Sequence, residues 1–130
     1  MPERLHHGTG TAWEARVGYS RAVRAGNWIA VAGTCAIGPD GRAVAPGDGG
    51  AQARFVFARI EEALRALGSS LGDVVRTRMY ITDLRHAEAV GAAHGELFRA
   101  VRPASTMLVV AGLVDPELVV EIEVDALAGE

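Results

Sequence analysis

Three carboxylates, Glu121, Glu123 and Asp125, fall at every second position of "VVEIEVDALA", with Ile122 and Val124 between them. A period of two is the period of a strand, so the acids line one sheet face and the aliphatic side chains the other. A carboxylate presented this way can take a proton from water, the work of a general base. The segment "VVRTRMYITDL" repeats the period, with Arg76, Arg78 and Tyr80 on one side against Val75, Thr77, Met79 and Ile81 on the other. Acids facing guanidinium and phenol groups across a sheet are either a solvated set of cross-strand pairs, each worth little, or a surface closed by other subunits through charge-assisted hydrogen bonds. Pattern alone leaves both readings open.

The remaining reactive residue types are few. All 13 basic side chains are arginine, so no lysine is present to form a Schiff base or act as an amine nucleophile. Cys35 is the single cysteine, which excludes an intrachain disulfide and a cysteine-based zinc site; lacking a paired base in the sequence, it reads as a small buried side chain. His6 and His7 sit in a polar N-terminal stretch that reads as a disordered or expression-related segment rather than a metal site. A net charge of -3 with no basic block offers nothing to track a phosphate backbone, so nucleic acid is excluded as a first reading. No run approaches the roughly 18 apolar residues of a membrane span, and the expected location is the cytoplasm.

The elements that must position these residues follow from periodicity. At 130 residues the chain suits one domain, with residues 1–17 as a flexible N-terminal segment. "GYSRAVRAGNWIAVAGTCAIG" predicts a hairpin turning at "AGN", and "PDGRAVAPGDGG" predicts a surface loop. In "AQARFVFARIEEALRALG", Phe57, Ile60, Leu64 and Leu67 share one helical face opposite Arg59, Glu62 and Arg65. A second helix is expected through "HAEAVGAAHGELFRAV", with Val90, Leu97 and Val101 inward, ended by Arg102-Pro103. "STMLVVAGL" and "LVVEIEVDALA" predict two last strands separated by "VDPE". The order β-β-α-β-α-β-β is α+β, a mostly antiparallel sheet with both helices on one face.

That order, together with "GYSRAVRAGNWIAVAGT", "LGSSLGDVVRTRMYITDL", "RPASTM" and "VVEIEVDALA", resembles the Rid proteins, also called the YjgF or L-PSP endoribonuclease family. The resemblance runs from about Tyr19 to Ala128. It implies a chorismate-mutase-like fold, a homotrimer with clefts between subunits, and hydrolysis of reactive enamines and imines to 2-keto acids and ammonia without metal or organic cofactor. In the family an arginine of the Pro-Ala-Arg strand clamps the substrate carboxylate, a glutamate helps activate water and a tyrosine of the first strand closes the cleft.

The match is partial. Glu121 stands at the family's glutamate and Tyr19 at its tyrosine, and these two are the candidate catalytic residues. The arginine position holds Ser105, the nearby cysteine position Met107, the second-strand serine position Ala32 and the second-helix asparagine position Gly91. A serine hydroxyl gives one neutral donor where a guanidinium gives two parallel charge-assisted hydrogen bonds, so the substrate either lacks an α-carboxylate or is anchored elsewhere. Arg21, two residues from Tyr19 on the same strand face, is the candidate replacement; Arg102, at a helix end, reads as a surface residue. Ser105, Thr106, Arg21, Met107, His94 and Gly33 make up the expected substrate-binding set, with His94 as a cleft-facing proton carrier and Trp13 as a cover for the cleft mouth.

Two function classes follow. One is a Rid-like hydrolase or deaminase acting on a small imine, enamine or carbonyl metabolite in an inter-subunit cleft, the substrate not being a simple 2-imino acid. The other is a non-catalytic trimer that binds a small molecule or supports a partner enzyme. Endoribonuclease activity is suggested by a family name alone, against the acidic balance and the lack of an aromatic stacking platform.

Overall fold

A computed structural model of the chain describes residues 3–129. Its elements are β1 (Arg4–His7), α1 (Ala12–Val17), β2 (Ala22–Ala25), β3 (Trp28–Cys35), α2 (Gly49–Ala66), β4 (Val74–Ile81), α3 (Ala87–Phe98), β5 (Ala104–Val109) and β6 (Val120–Leu127), with single 3-10 turns at Leu71–Asp73 and Leu84–His86. The six strands form one sheet in the order β1-β2-β3-β6-β4-β5. Every pairing is antiparallel except β4 with β5, which the crossover through α3 makes parallel. The expected α+β architecture is therefore present.

The hairpin turns at Gly26-Asn27, and Gly26 takes φ +61°, where II′-type turns place glycine. Helix α2 begins at Asp48, whose carboxylate accepts from Ala51 N–H at 3.0 Å, and stops before Gly68, which has φ +81°. Its Phe57, Ile60 and Leu64 are fully buried against Ile29, Val31, Ile122 and Val124 of the sheet. Each such side chain contributes about 1.5–3 kcal/mol. The loop after β3 is stapled by Gln52: its Nε2 donates to the carbonyls of Ala45 and Glu117, and its Oε1 accepts from Val119 N–H at 2.9 Å. A fully buried amide satisfied on both ends thus joins that loop to the strand carrying Glu121.

Three expectations fail for local reasons. The N-terminal stretch is not irregular: β1 pairs with β2 from Arg4↔Ala25 to His7↔Ala22, and α1 is capped by Thr11 and closed by Gly18 at φ +87°. Val75 does not lie with Thr77, because the register shifts between Val74 and Arg76; Val74 is buried and Val75 exposed. In α3 Val90 is buried as expected, but Phe98, edge-on to Phe57 at 5.3 Å, is buried in place of Leu97, which is exposed.

Candidate active site

The face of the sheet away from α2 and α3 carries the acids. Strand β6 lies between β3 and β4, and Glu121 has Cys35 opposite it on one side and Tyr80 on the other. The thiol of Cys35 donates to Glu121 Oε1 at 2.9 Å. Burial, then the hydrogen bond and the negative charge of Glu121, push that thiol well above the ordinary cysteine range, although Arg21 opposes the shift. Cys35 thus stands as a thiol that donates a hydrogen bond to the carboxylate. Gly33 touches the other oxygen: a Cβ there would lie 2.7 Å from Glu121 Oε2. Gly33→Ala should push the carboxylate out of its seat and away from the Cys35 thiol, with circular dichroism preserved.

Tyr19 and Arg21 precede β2 on the same side. Arg21 Nη1 donates to the Gly33 carbonyl at 2.8 Å and to Thr34 Oγ1 at 3.0 Å, and Nη2 donates to the Tyr19 hydroxyl at 3.1 Å. Its carbon also lies 5.3 Å from the centre of the Tyr19 ring. Three of the five guanidinium N–H groups are thus spent inside the chain, leaving Nε and one Nη2 hydrogen for a ligand. Arg21 fixes Tyr19 and the strand turn beside Glu121.

The other two acids are partnered. Tyr80 donates to Glu123 Oε1, and that bond, followed by burial and the negative charge, raises the phenol above its ordinary range. Arg78 Nη1 donates to Asp125 Oδ2 at 3.2 Å and lies 4.0 Å from Glu123. Glu121 is the one acid of the row without a guanidinium or phenol donor among the described residues. A groove of about 400 Å³ opens next to the row, lined by His6, Tyr19, Ser20, Ala32, Glu123 and Asp125. No three His, Cys, Asp or Glu side chains converge as a metal site would require among the described residues.

The candidates on β5 divide between the two faces. Ser105 is paired in register with Thr77 and Met107 with Met79, both buried on the helix side, whereas Thr106 pairs with Arg78 on the acidic side. Ser105 and Glu121 therefore lie on opposite faces of one chain's sheet with β4 between their strands. His94 also lies on the helix side, 2.9 Å from Thr77 Oγ1, between Phe57 and Phe98, and burial holds its pKa below the ordinary histidine value. Trp13 is exposed in α1 with Arg16 over its ring at 5.1 Å. Arg102 is exposed, and Gly91 has open space around it.

Sequence reasoning takes Cys35 as a small buried side chain and Thr77 as a core-facing strand residue, and foresees the site contact of neither. Cys35 meets Glu121 across 86 positions of chain, and Thr77 meets Ser105 across 28. Only the strand order, which puts the last strand between the third and fourth, makes these pairs visible.

A mixed six-stranded sheet of this order with two long helices on one face is an α+β fold that matches solved structures of the YjgF family. Residues 9–128 match the family described as Endoribonuclease L-PSP, and the chain belongs to it. It is 40% identical over 121 residues to an uncharacterized protein of Streptomyces coelicolor, covering 93% of this chain and 90% of that one. A RutC family protein of Pyrococcus horikoshii is 34% identical over 110 residues, covering 85% of each. A crystal structure of a YjgF/YER057c/UK114 family member from Mycobacterium tuberculosis superposes with a TM-score of 0.87 at 43% identity, covering 97% of this chain and 100% of that chain.

Proposed function

We propose that the protein is a Rid-like hydrolase that converts a small imine, enamine or carbonyl metabolite in a cleft between subunits of a trimer, and that its substrate is not a simple 2-imino acid. The observation that carries this reading is the seat of Glu121: a carboxylate held by Cys35 on one oxygen, with Gly33 against the other, and with no salt-bridge partner among the described residues. Such a group can take a proton from water as the water oxygen attacks the C=N carbon. The π pair moves to nitrogen, which takes that proton back from Glu121; the carboxylate then relays the carbinolamine O–H proton to the same nitrogen as the C–N bond breaks, releasing the amine and leaving the carbonyl. Tyr19, fixed by Arg21, lines the groove beside the acidic row together with Glu123 and Asp125.

The inter-subunit placement is supported by the division of the candidates. Ser105 and Glu121 lie on opposite faces within one chain, so one ligand meets both when β5 of one protomer borders the acidic face of the next. The exposure of Leu108 and Val109 on the edge strand β5 supports the same assembly. Light scattering should give about three times the chain mass. RNA cleavage, which the family's description names, finds little support in an acidic row on that face and a net charge of -3.

The test uses two imines of one carbon skeleton: 2-iminobutyrate, made in situ by an amino-acid oxidase, and 1-butanimine, released by an amine oxidase from butylamine. Faster hydrolysis of 1-butanimine than of 2-iminobutyrate is the expected result. Preference for 2-iminobutyrate would overturn the substrate assignment, and no acceleration of either would favour a binding trimer over an enzyme.

A further inference from the structure

Thr77 is fully buried on the helix side of β4, and its hydroxyl has two polar neighbours: Ser105 Oγ at 2.7 Å and His94 Nε2 at 2.9 Å. The row Ser105–Thr77–His94 runs from the exposed edge strand, along the helix side of the sheet, into an aromatic slot. There Phe57 meets the imidazole edge-on at 5.8 Å and Phe98 lies tilted at 4.7 Å. A buried hydroxyl between two polar atoms donates to one and accepts from the other. The two bonds are therefore coupled: if Nε2 carries the proton, Thr77 donates onward to Ser105 and the Ser105 hydrogen points out of the chain; if Nδ1 carries it, every bond in the row reverses.

We propose that Thr77 and His94 are positioning residues for Ser105, holding its hydroxyl as one neutral, directed hydrogen-bonding group for an uncharged polar atom of the ligand. The proposal rests on the reading that the β5 edge borders the ligand cleft. Among the described residues the hydrogen-bond and ring partners of this row are uncharged: Ser105 meets Thr77, Thr77 meets His94, and His94 meets two phenylalanines. A carboxylate placed at Ser105 would find one neutral hydroxyl there in place of a guanidinium, whereas an imine nitrogen, carbonyl or hydroxyl matches one donor or one acceptor. Burial that disfavours the charged imidazole supports a row that is neutral as a whole.

Two measurements separate this proposal from the reading beneath it. The first needs no substrate: nitrogen-15 NMR of the His94 ring in the native chain, Ser105→Ala and Thr77→Val. Coupling through Thr77 predicts that Ser105→Ala shifts the Nε2 resonance although the two residues do not touch, and that Thr77→Val shifts it further. Unmoved ring resonances in Ser105→Ala would overturn the relay. The second is kinetic: Thr77→Val should raise KM for 1-butanimine about five- to tenfold with kcat within about twofold, and Thr77→Ser should restore KM. An unchanged KM in Thr77→Val, or equal falls in kcat with both substitutions, would reject the positioning role. If the native protein hydrolyses neither imine, the hydrolase reading fails, and the ring-nitrogen measurement still decides whether the relay exists.

Discussion

Glu121→Gln should lower kcat for imine hydrolysis on the order of 10²- to 10⁴-fold, the usual worth of a general base, while moving the melting temperature by less than about 2 °C. The small stability effect follows from the surroundings. The amide has the size of the carboxylate, its oxygen still accepts from the Cys35 thiol, and no guanidinium loses a partner. Glu123→Gln is the internal comparison. It takes the charge from a carboxylate that receives the Tyr80 hydroxyl and lies 4.0 Å from Arg78, so it should cost stability and little turnover. Thermal denaturation and steady-state kinetics on the two variants separate a working acid from a structural one. Unchanged turnover in Glu121→Gln would reject its role as base.

Much of the fold was legible because its determinants are local. The alternation of Ile122 and Val124 with Glu121, Glu123 and Asp125 fixes both the strand and the face it buries, and Phe57, Ile60 and Leu64 fix the buried side of α2. The failures came where one residue departs from its period. A register shift turns Val75 outward, and Phe98 displaces Leu97 because the space beside Phe57 accepts an aromatic ring. The N-terminal strand was illegible for a related reason. Its four residues, Arg4 to His7, have no apolar alternation of their own, and they are ordered by pairing along β2.

The site was legible in type and illegible in assembly. Glu121 and Tyr19 could be singled out from their motifs, and Arg21 does join Tyr19. What the sequence could not show is that the last strand inserts between the third and fourth. That insertion brings Cys35 and Gly33 to the Glu121 carboxylate, while the parallel register of β5 on β4 turns Ser105 toward Thr77, away from the acids. A list of candidates on neighbouring strands says little about which face each one uses until the register is known.

Ser105→Arg should raise kcat/KM for 2-iminobutyrate roughly 10- to 100-fold over the native chain and lower that for 1-butanimine. The gain corresponds to two charge-assisted hydrogen bonds to a carboxylate, together about 1.5–3 kcal/mol, where the native chain offers one neutral hydroxyl. Position 105 can accept the longer side chain because it lies exposed on the edge strand, while Thr77 behind it keeps its contact with His94. The loss on the neutral imine follows from the same exchange, since the Ser105 hydroxyl and its bond to Thr77 disappear. Combining Ser105→Arg with Glu121→Gln should remove the gain, because an anchor speeds hydrolysis only while the base can still deprotonate water. A gain that survives Glu121→Gln would place the hydrolytic base elsewhere, and no gain in Ser105→Arg alone would mean that the β5 edge does not border the substrate.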